Sequence, residues 1–343
     1  MKVASPFRLL VAAALAASLV HSALAAPKQK QKTFIRRALS QPTAPVQSAH
    51  RKSPYVGAAS ADASNGRILF SENAAAEAYP ASVTKLMTLF LVLEDVRAGR
   101  YSFATRATAT PAVNYSEASW IGIKVGESMT VHDLCLALMV ESANDAAIVL
   151  AVNSAGSLDA FVARMNARAR ELGMANTRYY NPSGLPPNAK RRYPWKSYNV
   201  TTAADQLKLA CALLKLPGAL SFTSVKTCDL VKTEGGYRVF ATRRVGEPNR
   251  TTELAPGEKL IMQYRNHNNI MVKDKQKILN PDGREAVDGL KTGFINAGGS
   301  SVVLTGSRGG KRAVVVVLGS ASASERDENA SRLLADALGA MVW

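Results

Sequence analysis

Strand-forming runs stand at both ends of this chain, and helical periodicity fills the stretch between them. Near the start, residues 56–61 and 67–70 read as two strands, with Asp62-Ala63-Ser64-Asn65-Gly66 as the turn between them. Near the end, residues 301–305 and 313–318 are β-branched runs, with Gly309-Gly310 in the turn. Residues 83–97 form a long apolar segment ended by Gly99 and are expected to be a helix. The middle, about 105–225, reads as mostly helical, with periodic apolar runs at 131–140, 145–153, 158–172 and 203–214. Residues 325–341 close the chain as a helix. Its face of Ala330, Leu333, Leu334, Ala337, Leu338 and Met341 is expected to pack on the sheet, and its charged face carries Glu325, Arg326, Asp327, Glu328, Arg332 and Asp336. The simplest arrangement is an α+β fold, an α/β sandwich. In it, one antiparallel sheet is built from the N- and C-terminal strands, flanked by helices, with a mostly helical lobe inserted between them.

Residues 1–26 stand apart from this pattern. Lys2 and Arg8 precede an apolar run at 9–20, and Ala23-Leu24-Ala25 has the form of a signal-peptidase site. The run is too short for a spanning helix, so it reads as a secretory signal. Export to the periplasm or extracellular cell-wall space is therefore expected. Residues 27–53 are rich in Lys, Gln, Pro, Ala and Ser and read as a basic disordered linker. The net charge of +17 falls to +8 once the basic residues up to Lys52 are set aside, since the first acidic residue is Asp62. This arm either meets an anionic wall or membrane by electrostatics or is simply a solvated tether. The export signal and the lack of any binding motif argue against nucleic acid as the partner. Residues 54–343 are left as the folded domain, and the polar, turn-rich stretch at about 229–285 is a candidate insertion beside its cleft.

The three cysteines are an odd number, so one at least lacks an intramolecular partner. Cys135 lies in an apolar helical run and reads as core. A Cys211–Cys228 disulfide is compatible with an oxidising compartment and stays open. No CxxC or His-rich spacing suggests a metal, and no cofactor is implied. His21 and His50 lie in the signal and linker, and His132 and His267 have no ligand spacing around them.

Three short motifs occur in order. They are Ser82-Val83-Thr84-Lys85, then Ser142-Ala143-Asn144, then Lys291-Thr292-Gly293. A serine hydroxyl is a weak nucleophile that needs a base within hydrogen-bond reach. On a helix, positions i and i+3 share a face, which sets Lys85 beside Ser82. Lysine serves as a base only where burial or a neighbouring cation lowers its pKa, and Lys291 is a candidate neighbour. Alone, Ser-x-x-Lys also describes an N-cap serine with a solvated lysine. Ser-x-Asn arises again at Ser71-Glu72-Asn73, in a strand end. Lys-Thr-Gly on its own is a strand edge with a turn glycine. The ordered trio is far more specific than any member, although a non-local Ser-His-Asp triad is not excluded by it.

The trio resembles the active-site motifs of penicillin-binding proteins and serine β-lactamases. The flanks narrow the match. Pro80-Ala81-Ser82-Val83-Thr84-Lys85-Leu86-Met87-Thr88, Glu171-Leu172-Gly173-Met174-Ala175-Asn176-Thr177, Asn181-Pro182-Ser183-Gly184-Leu185 and Asp288-Gly289-Leu290-Lys291-Thr292-Gly293-Phe294 are all similar to low-molecular-mass D-alanyl-D-alanine carboxypeptidases. The resemblance spans about residues 55–343 and implies a β-lactamase/transpeptidase-like fold. It also implies roles at the site. Ser82 attacks the carbonyl between two D-alanines of a peptidoglycan stem peptide, and Lys85 takes its proton. Ser142 relays protons, and Asn144 holds the substrate amide. Lys291 and Thr292 bind the carboxylate end, and Gly293 lets the peptide lie along the strand. The N–H groups of Ser82 and Phe294 form the oxyanion hole. β-Lactam antibiotics would acylate Ser82 as substrate mimics.

Two departures bear on substrate choice. The second and third motifs are further apart than the family pattern leads one to expect, and only 50 residues follow Gly293. The β-rich second domain and C-terminal amphipathic membrane anchor of the anchored members are therefore not expected. The shorter D,D-endopeptidases of the family end in a similar way, which makes crosslink cleavage the main rival. A class A β-lactamase is opposed by the lack of Glu-x-x-Leu-Asn after Ser142 and by alanine, not aspartate, at position 143. A non-catalytic wall-binding role is opposed by the intact Ser82, Lys85, Ser142, Asn144 and Lys291.

Overall fold

The computed structural model describes residues 53–188, 193–273 and 278–341. The proposed signal and almost all of the basic linker lie outside the described residues. The elements run in the order β1 (Gly57–Asp62), β2 (Ile68–Glu72), a 3-10 turn (Ala81–Thr84), α1 (Lys85–Arg97), β3 (Arg106–Thr108), a second 3-10 turn (Pro111–Tyr115), β4 (Ser128–Thr130), α2 (Val131–Val140), α3 (Asn144–Ala155) and α4 (Leu158–Glu171). There follow α5 (Ala203–Leu214), α6 (Ala219–Thr223), β5 (Val225–Thr233), β6 (Gly236–Arg244), β7 (Lys259–Arg265), α7 (Asn269–Val272), β8 (Val287–Ile295), β9 (Gly299–Arg308), β10 (Lys311–Ser320) and α8 (Ala323–Ala340).

The first sheet has the order β2-β1-β10-β9-β8, with antiparallel pairing throughout. Both its faces are covered. Ala59, Ala61, Val303, Val314 and Val316 join the core of the helical lobe. Ala58, Val302, Leu304, Val315 and Val317 pack instead with Ala330, Leu333, Leu334 and Leu338 of α8. A strand buried on both faces has no polar side to show, which is why residues 313–318 form an unbroken apolar run. The closing helix thus packs on the sheet, as its apolar face suggested. Its reading as charged along the other face needs correction at Arg326 and Asp327, which are buried as an ion pair in its first turn. Burial forces such charges to pair, because each alone would be costly to desolvate.

The helical lobe is built around α1, in which Lys85 to Leu93 are all buried. A second sheet, β3-β4-β6-β5-β7, was not anticipated from the sequence. The stretch at 229–285, read as polar and turn-rich, supplies most of β5 with β6 and β7. Val225 to Val231 are buried, and the partner strands β6 and β7 carry many half-buried or exposed positions. Neither β6 nor β7 alternates strictly, and β7 leaves Leu260, Ile261 and Met262 exposed, so no periodic signal marks them as strands. The three cysteines are free, so Cys211 and Cys228 do not pair. Among the described residues, no single helix is long and apolar enough to cross a membrane.

Candidate active site

The site lies where the edge strand β8 meets the start of the helical lobe. Ser82 sits in the 3-10 turn, and α1 begins at Lys85. The turn is entered through Ala81, whose φ of 48° is unusual for a residue with a side chain. Lys85 is fully buried, and its Nζ lies 2.8 Å from both Ser82 Oγ and the carbonyl oxygen of Ser183. Burial, then the neighbouring Lys291, drive the Lys85 pKa well below its ordinary value, and Asp145 partly opposes them. At that separation an amine Nζ accepts the Ser82 proton, whereas an ammonium donates to the same oxygen.

A loop absent from the expected roles holds this arrangement. Thr88 Oγ1 donates to the Pro182 carbonyl at 2.7 Å, and Asn199 Nδ2 donates to Thr84 Oγ1 at 3.0 Å. Asn181 Oδ1 accepts from the backbone of Ser183 and Gly184, folding residues 181–185 into a tight turn. Gly184 has φ 86°, and a Cβ there would meet the Ala81 carbonyl oxygen at 1.9 Å. Only glycine permits that contact.

The second motif straddles the break between α2 and α3. Ser142 has φ 63° and is buried, and its Oγ has no hydrogen-bond partner among the described residues. Asn144 is the first residue of α3. It donates through Nδ2 to the Glu117 carbonyl at 2.6 Å and through its own N–H to the Ser119 carbonyl at 2.8 Å, and its Oδ1 has no partner. Buried polar atoms are rarely left unpaired, so Ser142 Oγ and Asn144 Oδ1 mark a place for a polar ligand. Asp145, one residue on, was missed by sequence reasoning. Its Oδ2 accepts from the N–H groups of Ile121, Gly122 and Ile123 at 3.1, 2.9 and 3.0 Å. Burial raises its pKa, against the pull of those N–H groups. The sequence signal was an acid opening an apolar helix.

Lys291 and Thr292 are buried on β8. Lys291 pairs in register with Val303 of the inner face, so its side chain lies on the Lys85 side of the sheet. Its pKa falls to about 7, mainly from burial and next from Arg326, with Glu141 opposing. Arg326 is the second residue missed. It belongs to α8, which packs on β9 and β10, and it acts on Lys291 through its charge. Gly293 touches the nucleophile turn directly, since a Cβ there would lie 2.5 Å from the Pro80 carbonyl oxygen and 3.1 Å from the Ser82 nitrogen. It therefore makes room for the chain's own backbone, beyond the role in peptide docking expected for it. Phe294 follows and is 61% exposed. The three motifs, 60 and 149 residues apart, are thus brought to one place.

Residues 47–240 match the family described as D-alanyl-D-alanine carboxypeptidase, peptidase S11. D-alanyl-D-alanine carboxypeptidase DacF of Bacillus subtilis is 26% identical over 269 residues, covering 78% of this chain and 58% of the relative. The chain thus spans somewhat over half the length of that relative. D-alanyl-D-alanine endopeptidase of Escherichia coli is 26% identical over 276 residues, covering 79% of this chain and 73% of the relative. The solved structure of D-alanyl-D-alanine carboxypeptidase DacD from Francisella tularensis superposes with a TM-score of 0.69 at 26% identity, covering 88% of this chain and 74% of that one. With the motifs, their convergence and the fold in agreement, the chain belongs to the D-alanyl-D-alanine carboxypeptidase family, peptidase S11.

Proposed function

We propose that this protein is an exported serine D,D-carboxypeptidase that removes the terminal D-alanine from peptidoglycan stem peptides. The observation that carries the reading is the Ser82–Lys85 contact at 2.8 Å, with the lysine buried and its pKa depressed. An amine in that position takes the Ser82 proton as Oγ attacks the penultimate D-alanine carbonyl. The developing oxyanion is held by the N–H groups of Ser82 and Phe294. Collapse breaks the peptide bond, and a proton passes to the departing D-alanine amine with Ser142 as relay. Water then hydrolyses the ester, releasing the shortened stem and restoring Ser82.

The remaining residues bind. Asn144 holds the substrate amide. Lys291 and Thr292 offer a cation and a hydroxyl to the substrate's terminal carboxylate. β-Lactams would acylate Ser82 by the same route. Export follows from the signal-like residues 1–26, and the basic residues 27–53 would favour the anionic wall or membrane.

The endopeptidase relative supports a second reading, in which the leaving residue belongs to a crosslink. The same carboxylate-binding residues serve both reactions, because a D-centre with a free carboxylate leaves in each. Digestion of purified muropeptides, read by mass spectrometry with a Ser82→Ala control, decides between them. Loss of one D-alanine from pentapeptide monomers is the expected result. Conversion of crosslinked dimers to monomers would establish the endopeptidase. No Ser82-dependent product would refute both.

A further inference from the structure

Residues 117–123 hold an unusual position beside the second motif. The Glu117 and Ser119 carbonyls accept from Asn144, and the N–H groups of Ile121, Gly122 and Ile123 donate to Asp145. The loop is thus fastened to two consecutive residues of α3 from both its ends. Its aliphatic side chains, Ile121 and Ile123, are sunk in the main core. Trp120, between Ser119 and Ile121, is 54% exposed, although both its neighbours are fixed. A flexible loop that exposes tryptophan needs no explanation. A fastened loop that buries its isoleucines and leaves out its largest apolar side chain does. A rigidly presented aromatic ring pays little ordering entropy on binding, which suits it to recognition.

The occupant follows from the neighbours. Trp120 is one residue from the carbonyl that holds the Asn144 N–H, and Asn144 is the group read above as holding the substrate amide. On β8, Phe294 is likewise exposed and one residue from the Gly293 contact with Ser82. We propose that Trp120 is a specificity-determining residue for the acyl-donor part of the stem peptide, packing on the aliphatic chain that precedes the two D-alanines. The proposal rests on the D,D-peptidase reading, and deepens it by naming what grips the substrate beyond the scissile bond.

The test compares two substrates of the full chain. One is an N-acetylated D-Ala-D-Ala dipeptide, which fills only the reacting centre. The other is the complete pentapeptide stem. Trp120→Ala is expected to raise KM for the pentapeptide about tenfold with kcat kept, and to leave kcat/KM for the dipeptide within about twofold. Trp120→Phe should recover most of the loss. Equal losses on both substrates, or none on either, overturn the proposal. A second measurement needs no turnover. In Ser82→Ala, titration with pentapeptide should change the tryptophan fluorescence, and the change should vanish in Ser82→Ala/Trp120→Phe. The buried Trp195, together with Trp343, provides the background that both variants share. A change that persists without Trp120 counts against its role. If the native chain cleaves neither substrate and is not acylated by penicillin, the peptidase reading itself fails, while the titration still shows whether Trp120 meets the peptide.

Discussion

Lys85 Nζ is shared between Ser82 Oγ and the Ser183 carbonyl, at 2.8 Å from each. The carbonyl fixes the amine on the serine, and burial keeps it short of protons. Replacing Lys85 by alanine should therefore slow acylation by a labelled penicillin about 10²–10⁴-fold, the usual worth of a positioned base. Ser82→Ala should form no adduct at all. Intact-protein mass spectrometry reads both.

The pH dependence of kcat/KM should be bell-shaped. Activity rises as Lys85 loses its proton and falls as Lys291 loses the charge that meets the substrate carboxylate. The falling limb should lie near pH 7, where Lys291 titrates in the free enzyme. Bound carboxylate would stabilise the ammonium, so the same limb of kcat should move to higher pH. Lys291→Gln removes a cation beside Lys85 and should shift the rising limb upward.

Lys291 also links folding to pH. Its folded value of about 7 lies below its ordinary 10.5. Between these values the unfolded chain holds a proton that the folded chain has released. Unfolding there takes up a proton, so this group's contribution to stability rises with pH from about 7 to 10. Below 7 both states are protonated and its burial penalty is fully present. Urea denaturation of the native chain and Lys291→Gln across that range should show a steeper rise in the native chain.

Gly184→Ala should be more damaging than its size suggests. The new methyl would overlap the Ala81 carbonyl and force a residue at φ 86°. A loss of about 3 kcal/mol or more is expected from the overlap and the backbone strain together. Gly293→Ala presses on Pro80 and Ser82 and should slow acylation more than it lowers Tm. Thermal unfolding alongside penicillin binding separates the two.

Asp145→Ala leaves four backbone N–H groups, those of Ile121, Gly122, Ile123 and Ala146, without their acceptor. A loss of about 2–4 kcal/mol is expected, since each buried donor left unpaired carries a desolvation penalty. Chemical denaturation measures the loss. Hydrogen exchange should show the lost protection confined first to residues 121–123.

Cysteine reactivity should follow burial. Burial pushes the thiols of Cys135 and Cys228 well up, and that of Cys211 up as well. In the native state Ellman's reagent should spare Cys135 and Cys228 and react slowly with Cys211. In denaturant all three thiols should react without prior reduction.

Much of the fold was legible because its signals are local. Helix α5 was bounded at the residues observed, since an apolar stripe and a Thr202 cap end it cleanly. The paired terminal strands were legible from their β-branched runs. The second sheet was not. Strands β3 and β4 have three residues each, and in β6 and β7 exposed charges outnumber buried apolar residues. Such segments become strands by pairing with β5, which no short window reveals.

The sequence by itself determined the chemistry on offer: a serine with a lysine one helical turn on, a Ser-x-Asn break between helices, and a Lys-Thr-Gly strand, each defined by spacing along the chain. Tertiary structure alone decided whether that chemistry can run. The depressed pKa values of Lys85 and Lys291 come first from burial, then from charges distant in sequence, Lys291 acting on Lys85 across about 200 residues of chain and Arg326 acting on Lys291. Asp145, Arg326 and the 181–185 turn act through contacts between distant elements, and a charge or a carbonyl acquires that meaning only when folding removes water from around it.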